Sequence, residues 1–287
     1  MDTLETRELR YFVAVAEELH FGRAAERLGI AQPPLSRAIQ QLERRLGVCL
    51  LERNRRGVAL TGAGEVLLHE GRAALDATTA AVRRTRRAGG ADSPGGPRNR
   101  LVLAVKAAAS HELLRKLLDA YAAEPDAAEI EVLPSGMCEQ PELLRDGRAD
   151  VALMHAPFNS LAGFDSEELM TEEQIAILPA GHPLAARKTL TLADISDVPD
   201  LPLARWPRHG TYPPGPGPEI HDQTQLAQLI ALGRTVAVFP DSARSWLWAE
   251  HAAVPVTDAP LVVTHIAWPA HSRSLALAGL IRTAVQL

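Results

Sequence analysis

Residues 20–47, with the sequence HFGRAAERLGIAQPPLSRAIQQLERRLG, contain two amphipathic helical patterns on either side of Gly29. Two prolines, Pro33 and Pro34, stand at the start of the second pattern. The first N–H groups of a helix have no partner within the helix, so proline costs little there and pre-sets the backbone angle φ. We therefore expect the prolines to begin a helix. Gly29 would supply the tight turn between two crossed helices, which predicts a helix-turn-helix.

The second of these helices has two different faces. An apolar face is predicted to be buried, and consists of Leu35, Ile39, Leu42 and Leu46. A polar face consists of Gln32, Ser36, Gln40 and Arg44 at every fourth position, with Pro33 and Arg37 beside them. Its first turns could contact base edges in the major groove of DNA through Gln32, Ser36, Arg37 and Gln40. Periodicity alone is equally compatible with an ordinary amphipathic surface helix.

A short hairpin is predicted directly after this helix. Residues 50–61, LLERNRRGVALT, are two apolar segments around a turn that contains Asn54 and Gly57. Arg53, Arg55 and Arg56 lie at or near its tip. Basic hairpin tips beside a recognition helix suit contacts with phosphate or the minor groove, although a solvated charge cluster is the alternative.

The formal charge is distributed unevenly along the 287 residues. Residues 1–87 hold 15 Lys and Arg against 11 Asp and Glu, a net charge of +4, whereas residues 88–287 hold 15 against 24, a net charge of −9. A basic N-terminal part suits a polyanion such as double-stranded DNA, and the acidic remainder would repel it. The two parts are therefore expected to have different partners.

The chain divides at residues 83–100, which combine four glycines, two prolines and a basic run. Before this segment, an Ala-rich stretch free of proline predicts one long helix with Thr61 as its N-cap. Its apolar side chains include Val66, Leu67, Ala73, Ala74, Ala80 and Ala81. They predict self-association through this helix, and packing on its own domain is the alternative.

After residue 100, apolar runs alternate with helical patterns in the order strand, helix, strand, helix, strand, which is typical of a parallel sheet covered by helices. The pattern restarts near residue 172, so two α/β units are expected. We predict five regions: 1–62 as a DNA-binding domain, 63–88 as a linker helix, 89–100 as a hinge, 101–172 with 268–287 as one subdomain, and 173–267 as the other. The strand LVVTHIAW, which starts at residue 261, is thereby placed mainly in the second subdomain.

The segment from Leu9 to Glu65 closely resembles the DNA-binding region of LysR-type transcriptional regulators. A weaker resemblance, through ILPAGHPLA and LIALGRTVAVFP, extends over nearly the whole chain. The resemblance implies a fold class of α/β type with an N-terminal winged helix-turn-helix, a long dimerising linker helix and a two-subdomain effector domain like a periplasmic binding protein. It also implies a homodimer that assembles to a homotetramer on an interrupted inverted repeat, with RNA polymerase as a further partner.

The resemblance implies that the DNA contacts on the second helix are Gln32, Pro33, Pro34, Ser36, Arg37 and Gln40, and that those of the wing are Arg53 and Arg55 or Arg56. Three positions depart from the family. Ala31 stands where a helix-capping Ser is usual, which should cost about 1 kcal/mol. Leu51 replaces a usual Phe, and Gly62 replaces a usual acidic or polar residue.

A small-molecule effector is expected at the carboxyl ends of the strands, next to helix N-termini that favour anions. The candidate contacts are Lys106, Ser110, His155, Thr224 and Phe239. The family often has Ser or Thr where Ala108 stands, so Lys106 or Ser110 is expected to replace that hydroxyl and bind a small anion. Alternatively, Lys106 pairs with a surface acid and the cleft is used differently.

Several other classes are not favoured by the sequence. No catalytic motif, cofactor fingerprint or metal-ligand spacing occurs, so no catalytic residue, metal or cofactor is predicted. Cys49 and Cys138 are isolated, although a redox-sensing or effector-independent regulator of the same fold remains an alternative. No apolar run reaches the roughly 20 residues of a membrane span, so a cytoplasmic protein without membrane contact is expected.

Overall fold

The computed structural model describes residues 4–54, 57–89, 100–107, 109–207, 211–270 and 272–287. Contacts between residues divide the chain into two compact units, residues 1–86 with 145–147, and residues 87–144 with 148–287. No helix in the described ranges is both long enough and apolar enough to cross a bilayer.

The first unit is a winged helix-turn-helix followed by a long helix. Its elements are α1 (Thr6–Glu18), α2 (Phe21–Leu28), α3 (Gln32–Leu46), β1 (Leu51–Asn54), β2 (Gly57–Leu60) and α4 (Gly62–Ala88). The strands pair antiparallel from Leu51↔Leu60 to Asn54↔Gly57, which confirms the predicted hairpin. Thr61 caps α4 as predicted, because its Oγ1 accepts a hydrogen bond from the Gly64 amide at 3.0 Å.

One apolar core holds the first unit together. Phe12, Leu35, Ile39, Leu42 and Leu50 are almost completely buried in it. Leu46 was predicted to join this face but is 37% exposed; it is the last residue of α3, directly before the C-cap Gly47. The side of α4 that packs on this core carries Leu67, Leu68 and Leu75.

The second unit contains two sheets with helices around them. Its strands are β3 (Arg100–Lys106), β4 (Glu129–Ser135), β5 (Val151–Ala156), β6 (Phe164–Glu172), β7 (Gln174–Pro179), β8 (Ala237–Pro240), β9 (His251–Val256) and β10 (Val262–Pro269). Its helices are α5 (His111–Ala122), α6 (Gln140–Arg145), α7 (Leu192–Ser196), α8 (Gln223–Ala231) and α9 (Leu275–Val285), with 3-10 turns at Pro183–Ala186 and Asp241–Trp246.

The first sheet has the order β4-β3-β5-β10-β6. Strand β3 pairs parallel with β4 and β5, which confirms the predicted parallel arrangement. One apolar layer lies between this sheet and helices α5 and α9, and another lies on the opposite face beside α6. The carboxyl ends of β3 and β5 therefore meet at one edge of the sheet.

The position of β10 corrects the predicted subdomain boundary. We expected residues 261–267 in the second subdomain, but β10 lies in the first sheet between β5 and β6. The chain crosses from the first sheet to the second between β6 and β7 and returns between β9 and β10. Strand patterns do not show which sheet a returning strand joins, because that depends on pairing with distant strands.

The second sheet is not a repeat of the first. Its order is β8-β7-β9, and β7 pairs antiparallel with both neighbours, whereas the sequence pattern indicated another parallel unit. Strands β7 and β9 are the segments by which the chain enters and leaves this sheet. They lie side by side, and the chain enters along one and returns along the other, so they run in opposite directions.

Candidate DNA-binding face and effector cleft

The turn between α2 and α3 has the geometry that the sequence predicted. Helix α2 begins at His20, whose Nδ1 accepts hydrogen bonds from the amides of Gly22 (3.1 Å) and Arg23 (3.2 Å). It ends at Gly29, which has a left-handed φ of 66°. Pro33 and Pro34 lie in the first turn of α3, which confirms that they begin the helix.

The six predicted DNA contacts on α3 lie on the side away from the core. Ser36 is half-buried, and the other five are exposed: Gln32, Pro33, Pro34, Arg37 and Gln40. Within the described residues, the side chains of Gln32, Arg37 and Gln40 make no hydrogen bond to another part of the chain. Their donors and acceptors are therefore available to an external ligand. Ala31 provides no side-chain cap, as its sequence position indicated.

Charged side chains join the helices that surround this face. Glu17 on α1 bonds to Arg27 on α2 and to Arg72 on α4, each at 2.7 Å. Burial alone would raise the pKa of Glu17, but the hydrogen bonds from Arg72 and Arg27 outweigh burial and lower the pKa below its usual value. Glu43 accepts hydrogen bonds from the amides of Leu50 and Leu51, and so ties the end of α3 to β1.

The predicted wing contacts lie largely beyond what the structure describes. Arg53 belongs to β1, and its side chain is outside the described part of the chain. Arg55 and Arg56 are also outside the described residues.

Helix α4 divides the predicted dimerisation residues into two groups. Leu67 packs on the core of the first unit and Ala80 is buried, so neither is available as a free surface. The remaining four stay exposed, namely Val66 (63% exposed), Ala73, Ala74 and Ala81.

In the second unit, the structure brings four of the five predicted effector residues together. Ser110 begins α5 with a left-handed φ of 51°, and its Oγ lies 2.9 Å from Nε2 of His155 at the end of β5. Lys106 ends β3, and its Nζ lies 4.8 Å from the centre of the Phe239 ring. Phe239 belongs to β8, so the Lys106–Phe239 contact spans the two sheets.

Thr224 is exposed in the first turn of α8, and the preceding residue makes the contact across the cleft. With its amide oriented to satisfy both partners, Gln223 donates to the Ala107 carbonyl (3.3 Å) and accepts from Trp246 Nε1 (2.8 Å). Sequence reasoning missed Gln223, although its place directly after the N-cap Asp222 is a signal that could have found it. Ala108 is outside the described residues.

The cleft holds two basic groups with shifted ionisation. Burial lowers the pKa of Lys106 to about 8, and the nearby Cys138 partly opposes the shift. Burial, with smaller effects of Lys106 and His265, lowers the pKa of His155 to about 4. His155 is therefore neutral at physiological pH. Lys106 is mainly protonated, with an appreciable neutral fraction.

Several buried polar atoms near this edge have no hydrogen-bond partner among the described residues. They include Nδ1 of His155, Oγ1 of Thr264 and Nδ1 of His265. Thr264 is the cross-strand neighbour of His155, so two of these atoms belong to one directly facing pair. Unsatisfied buried polar groups are costly and often mark places where a ligand or solvent binds.

A series of hydrogen bonds between buried polar residues holds the backbone of His155. The His155 amide donates to Asn159 Oδ1 (2.8 Å), Asn159 donates to Gln140 (3.2 Å), and Gln140 donates to Ser135 (3.0 Å). Ser135 in turn donates to the Val105 carbonyl at 3.0 Å. This series couples the loops that follow β3, β4 and β5. None of its side chains was singled out in the sequence.

Among the described residues, no group of three His, Cys, Asp or Glu could hold a metal ion. Cys49 is exposed in the first unit, and Cys138 donates weakly to the Phe158 carbonyl (3.4 Å) in the second. Within the segment 201–225, Arg205 donates hydrogen bonds to the carbonyls of Gly217 (2.6 Å) and Pro213 (2.8 Å).

Comparisons with known proteins agree with both units. Residues 6–65 match the family described as bacterial regulatory helix-turn-helix protein, lysR family, and residues 94–287 match the LysR substrate binding domain. The chain is 32% identical over 253 residues to the HTH-type transcriptional regulator AlsR of Bacillus subtilis, which covers 84% of this chain and 82% of AlsR.

Two solved structures are similar over nearly the whole chain. Full-length BenM is 27% identical and covers 99% of this chain and 96% of its own, with a TM-score of 0.52. Full-length CbnR in complex with its target DNA is 26% identical and covers 99% of each chain, with a TM-score of 0.52. This chain belongs to the LysR family of DNA-binding transcriptional regulators with a C-terminal effector-binding domain.

Proposed function

We propose that the exposed polar face of α3 and the wing between β1 and β2 bind an interrupted inverted repeat in double-stranded DNA. One observation carries this proposal. Gln32, Arg37 and Gln40 lie together on α3, which packs on a buried core, and their side chains have no hydrogen-bond partner in the described chain. Amide and guanidinium groups of this kind form paired hydrogen bonds with purine edges in the major groove. Ser36 and the wing residues Arg53, Arg55 and Arg56 would add contacts with the phosphate backbone.

A salt-dependent mobility-shift titration against the DNA that flanks the gene tests this assignment. Arg37→Ala should weaken specific binding by about 1–3 kcal/mol and reduce discrimination against random DNA. Arg282→Ala, which removes the same charge from an exposed position on α9, is the matched control and should bind normally. Equal binding of both variants would contradict the assignment of α3.

We further propose that α4 mediates a homodimer that assembles to a homotetramer. The exposed Val66, Ala73 and Ala74 form part of a surface of small side chains that allows close approach of a second helix. Ala73→Glu should shift the protein to a smaller species in light scattering at micromolar concentration. Thr79→Glu, about 120° round the same helix, should not. An unchanged mass for Ala73→Glu would contradict this interface.

The cleft between the two sheets is proposed to bind a small anionic effector that alters promoter binding. Lys106 supplies a cation with no ion-pair partner among the described residues. Ser110 and His155 supply neutral polar groups, Phe239 supplies an apolar wall, and Thr224 would contribute from the edge of α8. The protein would act in the cytoplasm, where its DNA lies, with RNA polymerase as a candidate partner.

Tryptophan fluorescence can test for the effector, because Trp246 is bonded to Gln223 at the cleft. A panel of small carboxylates should produce saturable changes in the wild type. Lys106→Met should abolish these changes, and Lys116→Met, on the exposed side of α5, should retain them. Equal responses of the two variants would place the anion elsewhere.

A further inference from the structure

Lys106 differs from the other cations of this protein. The sequence has three lysines, Lys106, Lys116 and Lys188, so the remaining 27 of its 30 basic residues are arginines. Lys116 forms an ion pair with Glu112 at 2.8 Å, and Lys188 is exposed. Lys106 also has no carboxylate within ion-pair distance among the described residues, but unlike Lys188 it is half-buried, with its Nζ against the Phe239 ring.

The environment of Lys106 favours a neutral, nucleophilic side-chain amine. Unlike the guanidinium of arginine, a lysine amine can lose its proton in a protein, and the neutral amine is a nucleophile. Burial lowers the pKa of Lys106 to about 8, so part of the population is neutral near pH 7.5. Lys106 is half-buried as a residue, and the Phe239 ring beside it belongs to the other sheet, so Nζ lies at the cleft between the two sheets.

Groups that suit a carboxylate lie at the neighbouring strand end. The Ser110 hydroxyl is 2.9 Å from His155 Nε2 and does not cap α5, so no Ser110 side-chain bond occupies the first amides of that 12-residue helix. Amides at a helix N-terminus favour an anion. His155 Nδ1 is also buried without a partner, and Lys106 Nζ, against the Phe239 ring, has no carboxylate partner, so two polar groups at these strand ends lack a partner in the described chain.

We propose that Lys106 is a carbonyl-reactive amine that forms a reversible imine with a small 2-oxo acid bound in this cleft. The carboxylate of the acid would lie at Ser110 and the start of α5, with its carbonyl carbon at Nζ. The inference rests on the proposed anion-binding function of the same cleft and names the chemical class of the effector.

The reaction requires no oxidant, reductant or further reactant. The lone pair of neutral Nζ attacks the carbonyl carbon and forms a C–N bond as the C=O π bond breaks, and one Nζ proton is transferred to the oxygen. The resulting hydroxyl then leaves with the second Nζ proton as water, the C–O bond breaks, and the nitrogen lone pair forms the C=N bond. His155, which is neutral, and Ser110 are the adjacent groups through which protons can be exchanged.

Reductive trapping of the full-length protein tests this chemistry directly. Glyoxylate is the probe, sodium cyanoborohydride reduces any imine to a stable amine, and peptide mass mapping reports each of the three lysines. Because the proportion of neutral amine governs attack, Lys106 should be labelled at least about tenfold faster than Lys188 at pH 7.5. Its rate should rise with an inflection near pH 8.

Lys106→Arg should lose this fast labelling, and Lys188→Arg, the matched control, should keep it. A melting curve checks that Lys106→Arg is folded. If Lys106→Arg does not fold, the comparison of Lys106 with Lys188 within the wild type still tests the proposal. Labelling of Lys106 no faster than that of Lys188 would overturn the proposal.

Competition by glycolate, which has the same charge but no carbonyl group, separates this inference from the proposed function. Saturable labelling of Lys106 that glycolate inhibits would support both. Saturable binding of glyoxylate and glycolate without trapping at Lys106 would overturn the imine and retain the anion site. Fast labelling that neither saturates nor responds to glycolate would overturn both the 2-oxo acid assignment and the anion site.

Discussion

The face of α3 and the effector cleft are both polar, but they are built from different kinds of charge. Helix α3 packs on a buried apolar core, and arginine ion pairs with Glu17 join the neighbouring helices α1, α2 and α4; arginine keeps its charge at all relevant pH values. The cleft instead contains a lysine and a histidine whose pKa values burial has lowered. The arginine charges in the first region therefore do not change with pH, whereas the charge of the cleft depends on pH and on a bound ligand.

The largest expected effect separates stability from binding on adjacent residues of α3. Ile39 is 1% exposed and Gln40 is exposed. Ile39→Ala should lower the free energy of unfolding by about 2–5 kcal/mol, because it leaves a cavity in the core. Gln40→Ala should leave unfolding unchanged within about 0.5 kcal/mol and weaken only specific DNA binding. Chemical denaturation followed by circular dichroism measures the stability of each variant, and a DNA titration measures its binding. An equal loss of stability in the two variants would contradict the assignment of Ile39 to the buried face and Gln40 to the exposed face.

Acid should destabilise the effector unit through His155. Its folded pKa of about 4 is below its unfolded value, so the unfolded state binds more protons as the pH falls from about 6.5 to 4. Stability is then lost on acidification, by about 3 kcal/mol at pH 4 if His155 acts alone. All four tryptophans, at positions 206, 246, 248 and 268, lie in this unit, so their fluorescence reports its unfolding. His155→Gln should flatten the pH profile, and an unchanged slope would place the titration in another group.

Two glycines near the start of α4 test how closely this helix packs in the first unit. A Cβ at Gly64 would lie 2.1 Å from the Leu50 carbonyl oxygen, whereas a Cβ at Gly62 would meet nothing within 4 Å. Gly64→Ala should therefore cost about 1–3 kcal/mol or more by displacing α4 from the strand region. Gly62→Ala should be neutral or slightly stabilising. Thermal melting of the two variants compares them, and equal midpoints would contradict the close packing at Gly64.

The smallest expected effect concerns Glu17. Because the folded-state pKa of Glu17 is lowered, its ion pairs contribute stability above the unfolded pKa of about 4.5, and that stability is lost as the pH falls through the folded value. Glu17→Gln should cost about 1 kcal/mol at pH 7, and the difference from the wild type should shrink below about pH 4. Urea titrations at the two pH values measure this. A constant difference would mean that the carboxylate charge is not what stabilises the contact.

Local patterns in the sequence determined the helix-turn-helix. The prolines at the start of α3, Gly29 in the turn, Thr61 at the start of α4 and the hairpin between Asn54 and Gly57 all depend on backbone preferences of a few adjacent residues. The clustering of Lys106, Ser110 and His155 was also predictable, because the carboxyl ends of parallel strands meet at one edge of a sheet. Phe239 was named as well, but it reaches them from the antiparallel second sheet, so the argument from strand ends does not explain its position. The exposure of Leu46 was not predictable, since periodicity does not show where the helix ends.

Only the tertiary structure decided the pairings between distant segments. The insertion of β10 between β5 and β6, the antiparallel second sheet and the bridge from Gln223 to Ala107 all join residues far apart in the chain. The series of hydrogen bonds that holds the backbone of His155 is of the same kind. Such contacts depend on how the crossing strands pack and on which polar groups burial leaves to be satisfied. A sequence pattern sets the period of an element and its buried face, whereas the partner of that face follows from the whole fold.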